Sequence, residues 1–380
     1  MTWREAQLGD VALIERLGVA PSEIQDGTTY VGLENIKSGG GFVDVEQVVS
    51  GQLASTKFTF SDDHILYGKL RPYLAKIEAP DFPGVCSTDI LPIRPGPELD
   101  RRYLLHFLRQ PSQVALADSR SSGANLPRLS PTELAKFSVP LPPLPEQRRI
   151  AAILDHADTL RAKRLHAVSV LDDLGGAAFQ HFAAGAPQAP LGDLLTFVTS
   201  GGRGWAKYYA DRGDRFIRSL DVQMNSISDD DLVYVSAPDN AEAGRTRTRE
   251  GDVLLTITGS RIGRAAALPS SLSGAYISQH VSILRTDTER LLPRYLSAFL
   301  CSEVWGQRQI RSSQYGQTKP GLNFKQIRDF AIPLPAVRQQ QKFCDFAAAS
   351  ECRGEMGREA LAATKMLFDA LQSRAFSGEL

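Results

Sequence analysis

Hydrophobic and polar positions alternate over short distances through most of this chain. TTYVGL (28–33), FTF (58–60), HILYG (64–68), YLAKIEA (73–79) and DILPIR (89–94) are runs of three to seven residues separated by Gly, Pro and Asp clusters, the signature of short strands joined by turns. Tyr103 to Arg109 changes to helical spacing. The same order returns later as FIRSL, LVYV, DVLLTITG, AALP, HVSILR and YLSAFLCSEVW, predicting two largely antiparallel sheets decorated by helices. Two segments break this rhythm. After the proline-rich strap VPLPPLPEQRR (139–149), Ile150, Ile153, Ala157, Leu160, Arg164, Val168, Leu171, Gly175 and Ala178 step three and four residues apart, which predicts a coiled-coil seam. Pro145 suits the first turn of that helix and Glu146 its positive end. About 36 residues at 1.5 Å each make a rod of roughly 54 Å. A second strap, IPLPAVRQQQKF (332–343), launches a matching helix through Phe343, Phe346, Ser350, Leu361, Leu367 and Leu371. Gly354 and Gly357 fall inside it, and they either bend the rod or let a partner helix approach closely.

The recurrence is a duplication. Leu8-Gly9-Asp10 returns as Leu191-Gly192-Asp193, STDILPIR (87–94) as SQHVSILR (278–285), Arg102-Tyr103-Leu104 as Arg294-Tyr295-Leu296, and FSVPLP (137–142) as FAIPLP (330–335). The separation drifts only from about 183 to about 193 residues, too long for a solenoid unit and right for a repeated domain. Two long helices with narrow apolar stripes would most simply pack on each other, antiparallel, between the two copies. The expected division is a first mixed domain at 1–143, a helical spacer at 144–186, a second mixed domain at 187–335 and a second helical spacer at 336–380. The fold class is therefore α+β, with a pseudo-two-fold internal repeat.

Composition changes this picture little: 42% hydrophobic and 23% charged residues are ordinary for a globular protein. No basic leader followed by an apolar run opens the sequence, and no apolar stretch approaches the roughly 20 residues of a membrane span, so a cytoplasmic protein is expected. Cys86, Cys301, Cys344 and Cys352 form no C-x-x-C pair and are expected to be buried, reduced thiols. Net charge is zero, with 14 basic and 17 acidic residues in 1–140 against 18 and 15 in 190–335. Phosphate neutralisation dominates non-specific nucleic-acid affinity, so if the ligand is DNA, partners should supply part of the charge.

The duplication, together with PLPPLPEQRRIAAILD (140–155), ILYGKLRPYLAKI (65–77) and CSTDILPIRP (86–95), resembles the specificity subunit of type I restriction-modification systems. The second half departs from the pattern: PLPAVRQQQK keeps Pro-Leu-Pro and Gln340 but carries Gln339 at the place of Glu146, and DVLLTITGSRIGRAA (252–266) replaces the KLRP form with Thr-Gly-Ser. The resemblance implies two target-recognition domains separated by two antiparallel coiled-coil helices, each domain reading one half of a bipartite site in double-stranded DNA. It further implies partner methyltransferase subunits and motor-nuclease subunits, which would hold S-adenosylmethionine, ATP and Mg, with no cofactor, metal or catalytic residue in this chain. A specificity subunit of a related modification system, or a coiled-coil adaptor for proteins, are the competing readings.

The residues agree that chemistry is missing. The chain has no Asn/Asp-Pro-Pro-aromatic tetrapeptide, no G-x-x-x-x-G-K-[ST] loop and no H-x-x-x-H pair. SGGRG (200–204) fails the dinucleotide pattern because Lys207 stands where the last glycine belongs. His156, His166 and His181 fall on the rod, where a solvated face is expected. Base readout needs forked or paired donors on loops or a groove-seated helix. The candidates are Lys37, Lys69, Arg71, Arg120, Asn125 and Arg128 in the first domain. In the second they are Arg203, Lys207, Tyr208, Ser260, Arg261, Arg264, Arg311, Gln314, Tyr315, Gln317 and Lys319. Loops 119–128 and 311–319 align between the copies. Arg94, Arg285, Arg102 and Arg294 recur beside strand and helix signals and are expected to form structural salt bridges.

Overall fold

The computed structural model describes residues 3–49, 51–314 and 321–380. They form two compact units, one of residues 1–165 with 359–380 and the other of residues 166–358. Two long helices, Leu144–Ala183 and Val337–Ser377, begin close to the expected spacers, yet each is divided between the units. The cause is packing. Ile150, Leu154, Phe368 and Ala375 belong to the first core, and Ala178, Phe179, Phe343 and Ala347 to the second.

In the first unit, strands Ala12–Ile14, Ile90–Pro95, Ile65–Gly68 and Ile77–Glu78 lie side by side in that order, all antiparallel. DILPIR reads as continuously apolar because both faces of its strand are covered. Leu91 and Ile93 face the main core with Ile65 and Tyr67, while Ile90 and Leu66 face a smaller cluster around Val31 and Phe60. A five-stranded sheet supplies Val31, Phe60 and Cys86 to that smaller cluster, and one of its strand pairs, Thr28–Val31 with Gly84–Cys86, is parallel. Helix Arg101–Leu108 buries Tyr103, Leu104, Leu105, Phe107 and Leu108, and Asp100 caps it by accepting from the Arg102 and Tyr103 amides.

The second unit repeats the plan. Leu195–Ser200, Val281–Thr286, Asp252–Thr256 and Ala265–Ala267 form its antiparallel sheet, and a second sheet again carries one parallel pair, Asp214–Ile217 with Tyr276–Ile277. Single hydrogen bonds recur too. The Leu8 amide donates to Phe137 O and the Leu191 amide to Phe330 O, both at 2.8 Å; Tyr103 Oη donates to Pro140 O at 2.9 Å and Tyr295 Oη to Pro333 O at 3.0 Å. Most telling is the fully buried pair Gln147 and Gln340. Gln147 accepts from the Asp100 amide and donates to Glu98 O and Pro142 O, all at 2.8 Å. Gln340 accepts from the Leu292 amide and donates to Arg290 O and Pro335 O, all at 2.9 Å. Each glutamine clasps a helix start to the proline strap. Glu146 only pairs with Arg149 at the surface, which is why Gln339 can replace it in the second copy.

Within each unit the two helices run antiparallel. Arg149 reaches Leu380 O and Arg164 reaches Ala360 O in the first; Arg358 pairs with Asp172, and Phe179 meets Phe343 edge-on at 5.6 Å, in the second. The predicted seams hold at Ile150, Val168, Ala178, Phe343 and Ser350, which are buried, and fail at Leu160, Phe346 and Leu367, which are 39%, 37% and 55% exposed. The packed positions are Leu154, with Arg161 stacked over the Phe368 ring at 4.8 Å, and on the other helix Ala347, Thr364 and Phe368. Gly354 and Gly357 do not break their helix. A Cβ on Gly357 would come within 3.2 Å of Val168 Cγ2, so this glycine permits close approach.

Cys86, Cys301 and Cys344 are buried, and burial pushes their thiols up to about 12, about 11 and about 11. Cys352, expected to be buried, is exposed because it lies on the outer face of the C-terminal helix. His156, His166 and His181 are all exposed. No helix among the described residues is long and apolar enough to cross a membrane, and no cluster of His, Cys, Asp or Glu among them could hold a metal ion.

Candidate nucleic-acid interface

Three cationic candidates of the first unit converge on one turn. Strand Ile65–Gly68 runs into Lys69, Leu70 and Arg71, and the short helical turn Pro72–Leu74 follows. The Lys69 amide donates to Asp89 O at 2.9 Å and its carbonyl accepts from the Leu129 amide at 3.0 Å; the Arg71 amide donates to Pro127 O at 2.8 Å. Loop 120–129 is thereby tied to the KLRP segment, bringing Asn125 and Arg128 to the same neighbourhood. The Gly39 amide donates to Leu74 O at 3.1 Å, which brings in the glycine turn that carries Lys37. Among the described residues, no hydrogen bond or ion pair engages the side chains of Lys37, Lys69, Arg71 or Asn125. The other two candidates are occupied: Arg128 pairs with Asp89 at 3.2 Å, and Arg120 lies over the Phe137 ring at 5.7 Å.

The second unit builds the same turn from other residues. Ile257 takes the bonding role of Lys69, donating to His280 O and accepting from the Leu322 amide, both at 2.9 Å. Leu70 bridges Arg128, and Thr258 bridges Gly321. Arg71 therefore corresponds to Gly259 and Ala75 to Gly263. All four have positive φ: 51° and 47° in the first copy, 93° and 91° in the second. Ser260 is exposed on this turn, while Arg261 is fixed to Leu220 O at 3.1 Å and Arg264 to Gln223 Oε1.

The remaining candidates separate. Arg203 is exposed, and Lys207 lies 4.8 Å over the ring of Tyr208, which packs edge-on against the buried Trp205. Arg311 lies in helix Gly306–Ser313, not in a loop, and pairs with Glu303 at 2.8 Å; Gln314 follows it, half-buried. Tyr315, Gln317 and Lys319 lie outside the described residues. Two features escaped the sequence reading: exposed Tyr73 on the first turn, and a Thr258 Oγ1 to His280 Nδ1 contact at 2.5 Å on the second. The matched STD and SQH motifs were the available signal, because Asp89 and His280 occupy one position.

The recurring arginines are structural. Arg94 pairs with Glu15 at 3.3 Å, Arg285 with the buried Asp252 at 2.7 Å, Arg102 with Asp155 at 2.6 Å, and Arg294 with Glu351.

Residues 1–168 match the family described as the type I restriction modification DNA specificity domain. The EcoDI specificity subunit of Escherichia coli is 30% identical over 133 residues, covering 34% of this chain and 30% of that protein. The E. coli EcoBI specificity subunit is 23% identical over 318 residues, covering 74% and 66%. The chain thus spans about a third to two thirds of the length of these relatives. Among solved structures, a chain from a study of type I restriction-modification complex assembly aligns over 100% of this chain and 98% of its own, at 21% identity and TM-score 0.63. The S subunit from M. genitalium aligns over 98% and 96%, at 13% identity and TM-score 0.60. Those two likenesses bear on the fold. Residues 1–168 thus carry the matched domain, and the same hydrogen-bonded plan is repeated in the second half of the chain.

Proposed function

We propose that this chain is the DNA-reading subunit of a type I restriction-modification complex, each mixed domain recognising one half of a bipartite site. One observation carries the reading: two copies of one scaffold present different side chains at the same turn, as expected of two readers with different targets. Exposed, unengaged cations at the first turn suit phosphate and base contacts. Modest charge suits a subunit that grips DNA together with partners, and methyltransferase and motor-nuclease subunits are the partners proposed.

The chain itself performs no chemistry in this proposal. S-adenosylmethionine, ATP and Mg would be bound by the partners, and the complex would work in the cytoplasm. The test is to express the chain with its cognate methyltransferase, map modified bases, and then exchange residues 1–143 for the equivalent domain of a relative. One half-site should change and the other persist. Modification without a sequence motif, or a change in both halves, would overturn the reading; protein capture without DNA selectivity would favour an adaptor.

A further inference from the structure

Residues 245–249 of the second domain read Arg-Thr-Arg-Thr-Arg, and the fold sorts them by type. Thr246 and Thr248 are buried, while Arg245, Arg247 and Arg249 are exposed. The threonines pin the segment. Thr246 Oγ1 donates to Glu242 O at 3.0 Å within the helix Ala241–Thr246, Thr248 Oγ1 donates to Leu272 O at 3.0 Å, and the Thr248 amide donates to Ala275 O at 2.8 Å. The backbone is extended at Arg247, and alternation along an extended chain sends the arginines outward together. None of the three forms an ion pair among the described residues, whereas Arg218, Arg285, Arg294 and Arg311 each hold a carboxylate. Arg245 and Arg247 reach only carbonyls, Ser200 O and Gly274 O, both at 3.2 Å, and the Arg249 side chain makes no hydrogen bond among the described residues. The ridge starts beside the turn of the second domain. Ser200, which holds Arg245, is followed by Gly201, whose amide donates to Val281 O at 3.2 Å, and the adjacent His280 O accepts from the Ile257 amide on the turn at 2.9 Å.

The first domain lacks this ridge. Thr59 pairs with Val85 as Arg247 bridges Tyr276, and the partners correspond because Val85 pairs with Tyr30 as Tyr276 pairs with Phe216. Counted along the chain from that match, Lys57, Thr59 and Ser61 stand in the places of Arg245, Arg247 and Arg249. The one cation among them is buried, with Lys57 Nζ donating to Ser55 O and Ser55 Oγ, both at 2.7 Å.

We infer that Arg245, Arg247 and Arg249 bind DNA backbone phosphates beside the second half-site, a grip that is independent of base sequence and has no counterpart in the first domain. The inference rests on the DNA-reading proposal and adds a phosphate site to it. Guanidinium forks match phosphate oxygens in pairs. Two residues of extended chain advance about 6.7 Å, so the groups are spread along a strand and do not converge on one base. Cations free of carboxylates are the ones that displace the counterions of DNA. The balance of charge agrees, with 18 basic against 15 acidic residues in 190–335 and 14 against 17 in 1–140.

The experiment uses the full chain assembled with its methyltransferase and measures, by fluorescence anisotropy, binding to a duplex bearing the mapped site and to a scrambled duplex between about 50 and about 200 mM salt. Arg245→Gln, Arg247→Gln and Arg249→Gln together should make the slope of log K against log[salt] shallower by about 2.7, so that the parent loses about 40-fold more affinity than the variant over that range. Both duplexes should be weakened alike, with the modified motif unchanged. Lysine at all three positions keeps the charge and should keep the slope. Arg249→Gln alone, which removes no hydrogen bond inside the fold, should make the slope shallower by about 0.9. Glutamine variants with the parent's slope, a lysine variant as shallow as the glutamine one, a loss confined to the specific duplex, or an altered second half-site would each overturn the inference while the DNA-reading proposal stands. A parent chain that directs no sequence-specific modification would overturn both.

Discussion

Gln147 illustrates how much of this protein is decided by single buried polar groups. Its buried amide satisfies a helix-start N–H and two carbonyls at once, the bond to Pro142 O being fully buried and the other two partly so. Truncation to alanine leaves three backbone groups without this partner, at a cost on the order of 1–3 kcal/mol for a group that water cannot reach and less for the two that it can. Gln147→Ala should therefore lower unfolding stability by about 3 kcal/mol, whereas Glu146→Gln, which only loses a surface pair, should change it by less than about 1 kcal/mol; denaturant titration checks both. Asp155 gives a pH signature. Burial pushes its carboxyl up, but hydrogen bonds from His106 and Arg102 outweigh that and hold it well below the usual carboxylate range. A depressed folded pKa means stability that is present above the unfolded value near 4 and lost as pH falls through the folded one. The stability advantage of the parent over Asp155→Asn should be constant at neutral pH and shrink below about pH 4. An advantage that grew in acid would refute the assignment. At this scale the sequence was partly legible: recurrence marked Arg94, Arg102, Arg285 and Arg294 as structural, because ion pairs within a scaffold are copied with it. It could not mark which loop cations remain unengaged, since that depends on partners such as Asp89 and Glu303, distant along the chain or on another element.

The helices show why periodicity alone misplaces a seam. Choosing the most apolar residue at each step selected Leu160, Phe346 and Leu367, all exposed. The packed line keeps the predicted Ile150, Ala157, Arg164, Val168 and Leu171 but takes Leu154 and Arg161 in place of Ile153 and Leu160, with guanidinium groups filling the middle: Arg161 over Phe368 and Arg164 on Ala360 O and Thr364. Long cationic side chains cover apolar surface as well as solvent-facing positions do, so hydropathy does not distinguish the two roles. Leu154→Ala should cost about 2–5 kcal/mol, as expected for a fully buried leucine, while Leu160→Ala should be nearly neutral. Glycines in the rods also divide by role. A Cβ at Gly176 meets nothing within 4 Å, whereas at Gly357 it meets Val168. Gly176→Ala should stabilise by about 1 kcal/mol through helix propensity, and Gly357→Ala should gain less because Val168 must move. Equal gains at the two positions, measured by thermal unfolding, would show that close approach at Gly357 is unimportant.

At the scale of the whole chain, duplication extends further than the two mixed domains, and it yields a test of how the halves are completed. Residues 359–380 supply Phe368, Ala375 and Phe376 to the first core, where Phe376 packs on Tyr103 with ring centroids 5.0 Å apart and planes at 46°. In the second unit Phe179 packs on Tyr295 at 5.0 Å and 44°. The segments bearing these rings are themselves similar, LDDLGGAAF (171–179) against FDALQSRAF (368–376). The domain motifs made the larger repeat visible from sequence, whereas this shorter one was hidden because five of its nine positions differ and only the ring contacts reveal the match. A fragment of residues 1–185 keeps the first domain and Phe179 but lacks Phe376. Its Tyr103 site would be vacant and its helix stripe unpaired, and a second copy can fill both by presenting its own Phe179. Such an exchange is reciprocal, so the assembly closes as a dimer with two identical readers. If the chain reads a bipartite DNA site with a methyltransferase as proposed, this fragment co-expressed with that partner should direct modification of an inverted repeat of the first half-site in place of the asymmetric target. Phe179→Ala in the fragment should abolish dimerisation by sedimentation, while Phe179→Tyr should preserve it. A well-folded monomer, or a dimer that still modifies the asymmetric site, would show that the two ring contacts are not interchangeable.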